Sequence, residues 1–292
     1  MSNHRDLFLG LFAWVATASL VTTWQIATRW GVSTSLTPID LALLRYGIPG
    51  AILAPLALRK GLKAPEKPAW VTVLLVFGGG LPFGLLGMAG AQFAPAAHMG
   101  SLLPGSMPLF VATLSAIVLG ERFGPKRVFG LCLITMAVFC ITGGSLMSEA
   151  GPATLLGDGL FLLAGVSWAI YTVALKDCDL EPWHAVAIIS FWSALLIVPI
   201  WLLTPSNGLL TAPRGDVALQ LVVQGMLAGL FGMVVFGISV AKLGTSVTAL
   251  SGSVVPALTA LGGWILLGEE LTALTIAGVC VMVLGLVVFS RS

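Results

Sequence analysis

The chain has 292 residues, 58% of them apolar and 9% charged, with fourteen Lys and Arg against twelve Asp and Glu and a formal net charge of +2. An ordinary soluble domain is about 45–50% apolar and about 25% charged, and so few charged side chains cannot clothe a water-facing surface around a core of this size. Soluble enzymes and nucleic-acid binders are excluded on that ground, which leaves a protein whose solvent is the lipid bilayer.

A helix that crosses the hydrocarbon needs about 20 mostly apolar residues, whereas the strands of a membrane barrel show alternating segments of about 10. The uncharged stretches here are long: 7–28, 68–120, 128–148, 159–175, 182–213, 217–241, 243–268 and 271–290, with 41–58 interrupted only by Arg45. The 68–120 stretch is too long for one span and is expected to turn at Gln92-Phe93-Ala94-Pro95. The chain therefore reads as an all-α polytopic membrane protein with ten transmembrane helices. The first run is a full span rather than a signal peptide. The residues left over make only tails and short loops, so function is expected inside the helices.

Helix 1 is polar for a span, and its Ser19, Thr22 and Gln25 share one face, available to a neighbouring helix or to a substrate. Helix 2 opens on Asp40, an expected cap, and carries Arg45, which could hold a carboxylate or extend its stem to the interface. In helix 3 the run Gly78-Gly79-Gly80-Leu81-Pro82 is followed by no P-loop lysine. It reads as a hinge at Gly79, Gly80 and Pro82, or as a place that admits a neighbouring helix. Helix 4 puts His98, Ser101, Gly105, Pro108, Ala112 and Ser115 on one face, and Ser246, Ala249, Ser253, Pro256, Ala260 and Gly263 hold the matching positions of helix 9. Small, polar stripes of this kind serve close packing or line a cavity, with Pro108 and Pro256 loosening the backbone where a gate could bend. Helix 6 contributes Ser167, Trp168 and Tyr171, and Trp168 lies deeper than the interfacial belt where tryptophans collect.

His98 is the one histidine within the predicted spans, either a cap at the interface or a pH-sensitive latch or partner of a substrate carboxylate. The candidate substrate-binding residues are thus His98, Ser101, Trp168, Tyr171, Gln25, Thr22 and Ser253. The cysteines Cys132, Cys140, Cys178 and Cys280 form no CxxC pair and read as small core residues, so neither a disulfide nor a metal site is expected. No carboxylate lies clearly in mid-membrane, which argues against the acidic relays common in proton-coupled pumps. Without an HExxH or a Walker motif, no catalytic role, cofactor or direct ATP drive is expected.

If both termini are cytoplasmic, eleven Lys and Arg lie on the cytoplasmic side and only Arg29 and Arg214 outside, as the positive-inside rule requires. Sliding the sequence against itself by 148 residues aligns Pro108 with Pro256, Gly120-Glu121 with Gly268-Glu269, Gly130 with Gly278 and Cys132 with Cys280. Eight of the 25 positions from 108 to 132 are identical in this register, so the halves 1–148 and 149–292 are repeats. Each half holds five spans, an odd number, so the two are inverted. Halves facing opposite ways can exchange conformations and expose one central site to each side in turn, which favours a carrier over a channel. The end positions of Glu121 and Glu269 point to loop or cap contacts.

The element of small residues and a proline, then Leu-Gly-Glu, a short loop and a Gly-containing last helix occurs at Pro108 to Gly143 and again at Pro256 to Phe289. It resembles the EamA-type repeat of the drug/metabolite transporter superfamily. "LALLRYGIPG" and "SWAIYTVALK" are similar to that family's second and sixth helices, and the chain is most similar to its bacterial aromatic amino-acid exporters. The resemblance implies a carrier in the bacterial inner membrane, a monomer or homodimer, exporting small metabolites through a cavity between the halves. With Arg45 alone available to meet phosphates, neutral or zwitterionic cargo such as amino acids is expected; multidrug or purine-type export, or less readily a channel, are the alternatives. Replacing Trp168 or His98 by Ala is expected to lower transport without lowering membrane insertion, read as initial uptake into vesicles normalised to the protein present.

Overall fold

The computed structural model describes residues 2–146, 151–176, 178, 180–205, 208–243 and 245–291, apart from the side chains of 2–7, 233, 236–237, 240–241 and 245–250. Its helical runs are α1 (Ser2–Thr34), α2 (Pro38–Lys60), α3 (Ala69–Phe93), α4 (Ala96–Leu119), α5 (Pro125–Leu146), α6 (Gly151–Lys176) and α7 (Pro182–Leu203). The segments Arg214–Gln220, Leu221–Phe231 and Gly232–Leu243 follow end to end as α8, then α9 (Thr245–Leu267) and α10 (Ala273–Ser290). No strand occurs among the described residues. Eight runs, α1 to α7 and α10, are long and apolar enough to cross a membrane. The expected count of ten is therefore not reached on that measure. α8 is divided by a π-helical middle, and the described side chains of α9 supply an apolar stretch of only Ser251–Leu267.

Local chemistry sets the ends of these helices. Thr37 and Asp40 form a reciprocal capping box at the start of α2, where Pro38 occupies the first turn. α4 and α9 end alike. Gly120 and Gly268 both take φ +67°, a left-handed conformation that costs glycine nothing. The next amide folds back across the last turn, Glu121 N–H to Ser115 O at 3.4 Å and Glu269 N–H to Gly263 O at 3.1 Å. The two Leu-Gly-Glu elements, 148 residues apart, are therefore the same backbone motif.

Helices at equivalent positions cross antiparallel and close. On α5 and α10, a Cβ at Gly130 would stand 2.8 Å from Phe289 N and 3.0 Å from Gly285 O, while one at Gly278 would meet Ile141 at 2.5 Å. α4 and α9 cross the same way, Gly100 against Thr259 and Gly263 against Ala96. α3 lies along α6 (Gly78 against Ser167 and Tyr171, Gly90 against Phe161), and α8 lies along α1 (Gly10 against Leu243, Gly31 against Gln220). Between lipid-solvated helices, close contact of this kind replaces the hydrophobic effect as the source of adhesion. It also gathers Trp24, Phe83, Met99, Leu103 and Phe161 into the central apolar cluster. Cys132 and Cys280 depart from the core role expected of them. Both are exposed on outer helix faces, because the crossing of α5 with α10 is lined by the neighbouring glycines instead.

Gly130→Ala is expected to destabilise the protein by about 1–3 kcal/mol, since the added methyl meets backbone rather than a movable side chain. Gly143→Ala, with nothing within 4 Å, is expected to be near neutral; thermal unfolding of the two in detergent makes the comparison.

Candidate functional site

The two π-helical segments, Leu43–Gly47 in α2 and Leu221–Phe231 in α8, pack on each other at the centre of the bundle. A Cβ at Gly229 would stand 2.7 Å from Arg45 O, and one at Gly225 would meet Ile48 at 2.5 Å, so glycine alone permits this approach. π-turns of this sort recur at functional sites because they re-aim a side chain at some cost in helix regularity. Here the re-aimed side chain is Arg45. Its guanidinium carbon lies 4.4 Å from the Trp24 ring centroid, within cation–π range, and its Nη1 is shielded from solvent without a hydrogen-bond partner. Trp24 is itself fixed, Nε1–H donating to Gln224 Oε1 at 2.9 Å. Gln224 Nε2 donates to Thr28 Oγ1 (2.9 Å) and Gln220 Oε1 (3.1 Å), and Gln220 Nε2 donates to Ala27 O (2.6 Å).

From Trp24 a row of rings runs through Phe83 and Trp168 to Tyr171, with centroids 6.4, 5.1 and 5.0 Å apart. The row depends on the glycine run of α3. Gly78 and Gly79 admit the backbone and ring of α6 at Ser167 and Tyr171, and the helix breaks at Gly80 before restarting at Leu81-Pro82. Neighbouring helices hydrogen-bond the backbone on both sides of the break, where Gly80 O also accepts from Gly84 N–H at 3.1 Å. Tyr46 Oη–H donates to Gly80 O at 2.6 Å, and Leu81 N–H donates to Ser193 Oγ at 3.0 Å. α4 is likewise interrupted between Leu102 and Met107, with Pro108 opening its second segment, whereas Pro256 sits inside an unbroken α9. The stripe expected along helix 4 is therefore divided in two.

Three more buried polar atoms stand without partners, Thr22 Oγ1 and Gln25 Nε2 of α1 and Ser101 Oγ of α4. Gln25 Oε1 accepts a hydrogen bond from Thr259 Oγ1 at 2.7 Å, which leaves the amide nitrogen unpaired. Three of the seven residues picked from sequence thus carry unmet hydrogen-bonding capacity, and Trp168 and Tyr171 stand in the ring row. Ser253 is buried in α9, while the side chains of Ser246 and Ala249 lie outside the described residues.

His98 is placed elsewhere, at the end of the bundle where α4 begins. Its Nδ1 lies 2.8 Å from Asp158 Oδ1, its Nε2 3.4 Å from Thr275 Oγ1, and Ser145 Oγ–H donates to Asp158 Oδ2 at 2.5 Å. Asp158 lies within α6, near its first turns at the end of the bundle rather than in mid-membrane, and extends the helix beyond the uncharged 159–175 stretch. α6 starts at Gly151 rather than after the charge, because His98 and Ser145 satisfy the carboxylate, which is 1% exposed. Reading α6 from Pro152 would have exposed this acid, and the pair Gln220 and Gln224, four residues apart in an apolar run, was equally open to notice. At the same end Arg29 Nε–H donates to Glu269 Oε1 at 2.7 Å, Glu269 Oε2 accepts from Ala96 N–H at 2.8 Å, and Arg29 Nη1–H donates to Ala91 O at 2.7 Å. Beyond the cap contact expected of it, Glu269 ties α1 and α4 to the end of α9. At the other end Lys176 contacts Glu121 and Lys60 contacts Glu181, both pairs well exposed. The Lys60 hydrogen bond holds the Glu181 carboxyl below the usual carboxylate range.

Comparison with known proteins agrees with this architecture. The sequence profile of the EamA-like transporter family matches residues 8–143 and again 155–291. An uncharacterized transporter of Archaeoglobus fulgidus is 28% identical over 284 residues, covering 95% of this chain and 98% of its own. A probable amino-acid metabolite efflux pump of Salmonella typhimurium is 26% identical over 234 residues, 76% of this chain and 77% of its own. A solved crystal structure superposes with a TM-score of 0.63 at 20% identity, covering 98% of this chain and 97% of that one, and so shares the fold.

Tyr46→Phe would remove one of the two hydrogen bonds that Gly80 O accepts at the α3 break, the other coming from Gly84 N–H at 3.1 Å. A loss of about 0.5–1.5 kcal/mol is expected, seen as a lowered unfolding midpoint that is additive with neither Ser193→Ala nor changes at Gly80.

Proposed function

Since the chain belongs to the EamA-like transporter family, we propose that it exports small zwitterionic metabolites, amino acids with aromatic side chains among them, by alternating access. The observation that carries this reading is the partnerless Nη1 of Arg45, held over Trp24 at the head of the ring row. A half-buried guanidinium with a shielded, open donor is matched by a carboxylate, and rings at about 5–6 Å spacing are matched by an aromatic or apolar side chain. Thr22, Gln25 and Ser101 offer further hydrogen bonds for polar parts of a cargo, beside Ser253. One arginine is too little for a phosphate-bearing substrate. The name of the Salmonella typhimurium relative points to the same class of cargo.

The transport cycle we propose uses ten spans arranged as inverted five-helix copies, 1–148 and 149–292, with both termini in the cytoplasm of a bacterium. The antiparallel crossings of α5 with α10 and of α4 with α9 support the inversion, and the clustering of Lys and Arg at the Lys60, Lys176 and Arg291 end supports the orientation. The end that carries Arg29, Glu269 and His98 is then the outer one. Bending is assigned to the breaks at Gly79, Gly80 and Pro82 and at Pro108, with Pro256 as the matching point of the second copy. A carrier of this kind does no covalent chemistry and needs no cofactor.

Counterflow in proteoliposomes tests the reading. A labelled aromatic amino acid should accumulate against unlabelled internal substrate, saturably and without an imposed ion gradient; no accumulation for any amino acid would refute the cargo. Arg45→Gln is expected to raise the half-saturating concentration about ten- to hundred-fold for amino acids, and to leave amines lacking the carboxylate unaffected.

A further inference from the structure

We infer that the end of the bundle where α5 starts and α10 finishes carries a headgroup site for an anionic phospholipid of the adjoining leaflet. The inference goes beyond the export reading and depends on neither the cargo nor the sidedness assigned above.

An open cavity of about 510 Å³ lies between the loop that follows the first Leu-Gly-Glu, the first turn of α5 and the end of α10. The close crossing of the two helices builds it. Gly130 lets the backbone of α10 approach at Phe289, and Arg291, two residues further on, thereby comes to the start of α5. Arg122, Lys126, Arg127 and Arg291 line the cavity together with Phe123 and Pro125, and no Asp or Glu is among the described residues that line it. The Arg127 guanidinium carbon lies 5.7 Å from the Phe289 ring centroid, which ties one of these cations to the opposite helix. Elsewhere at this end lysines face carboxylates, Lys60 with Glu181 and Lys176 with Glu121, so the acid closest in sequence to the cavity is already engaged. Like charges gathered in one concavity repel each other and focus a positive field, and an anion that enters relieves the repulsion.

The anion that fits is a phosphate ester, whose oxygens accept from several guanidinium donors at once. The surface below the cavity selects a lipid over a free phosphate. Lys126 is followed at helical spacing by Phe129, Cys132, Met136 and Phe139, all exposed, so an apolar strip leads from the cations down the outer face of α5. An acyl chain laid on that strip hangs from a headgroup held among the cations. A zwitterionic headgroup would bring its own ammonium against the same charges, so a lipid of net negative charge is favoured. The backbone motif does not itself demand this charge. Gly120 and Gly268 make the same left-handed cap, yet the residues 148 positions from Arg122, Lys126, Arg127 and Arg291 are Glu270, Leu274, Thr275 and Gly143. The site therefore belongs to one copy of the repeat and to one end of the protein.

Native mass spectrometry of the purified full chain tests this. The first dioleoylphosphatidylglycerol to bind should do so about ten-fold more tightly than dioleoylphosphatidylcholine, and Arg127→Gln combined with Arg291→Gln should remove most of that preference. Arg59→Gln combined with Lys63→Gln takes as much charge from exposed positions at the same end but outside the cavity, and should leave the preference intact. Equal affinity for the two lipids would overturn the proposal. So would an equal loss in both double variants, the mark of diffuse attraction to a basic surface. Displacement of phosphatidylglycerol by inorganic phosphate or glycerol 1-phosphate at the same concentration would overturn it too, by assigning the cavity to a soluble phosphate. The lipid comparison and the phosphate competition use the unsubstituted chain, so they decide the matter even if a variant fails to fold. No cargo enters either measurement, and a failure of amino-acid counterflow leaves this test standing.

Discussion

Inside a bilayer a backbone N–H or C=O without a partner costs several kcal/mol, and no water stands by to rescue it. A protein that must bend there has to break helices, and each break creates such groups. The α3 break illustrates how this is met: Ser193 of α7 takes the amide of Leu81, and Tyr46 of α2 adds a second hydrogen bond to the carbonyl of Gly80, which Gly84 N–H also reaches. Two helices that do not break are thereby tied to one that does. The π-helical turns of α2 and α8 are a gentler form of the same departure, and they face each other across glycines at the point where Arg45 is displayed. The irregular backbone and the unusual side chain share one place because each requires a neighbour shaped to accept it.

Charge is handled differently at the two ends. At the end of Arg29 and Glu269 the ion pair is largely buried and reinforced by backbone groups, whereas Lys176 with Glu121 and Lys60 with Glu181 face solvent, where an ion pair contributes little. In the copied motif, Glu269 and Glu121 hold equivalent positions, and each finds a cation near the end of the first helix of the other half, Arg29 of α1 or Lys176 of α6. The structure described here has its tighter closure at the end that also holds His98 and Asp158.

Much of this is legible in sequence, for physical reasons. Apolar run length reports hydrocarbon thickness directly, so the helices fall close to the stretches that predict them. The repeat at 148 residues is visible because left-handed caps and close crossings admit only glycine, which keeps Gly120, Gly130, Gly268 and Gly278 in register. Trp168, Tyr171, Thr22, Gln25 and Ser101 stand out because polar and ring-bearing side chains are conspicuous among aliphatic ones. Asp158 is hidden by the same logic, since a charge reads as the end of a span unless its partner, sixty residues away, is known. The π-turns leave no mark on composition at all, because they depend on how two helices meet rather than on what either contains.

The crossing of α5 with α10 has a reciprocity that goes further than resemblance. Gly130 rests on positions 285 and 289, Gly278 rests on 137 and 141, and every number in the second set differs from its counterpart in the first by the repeat length. That is the geometry of an isologous contact, in which one surface is complementary to a second copy of itself. A single half would therefore carry a face that recognises its own inverted twin. Joining two such halves in one chain makes their stoichiometry and the antiparallel crossing of α5 with α10 a property of the gene rather than of chance encounters in the membrane. It also frees each half to diverge: His98 and Asp158 pair, while the matching positions of the repeat are Ser246 and Gly10.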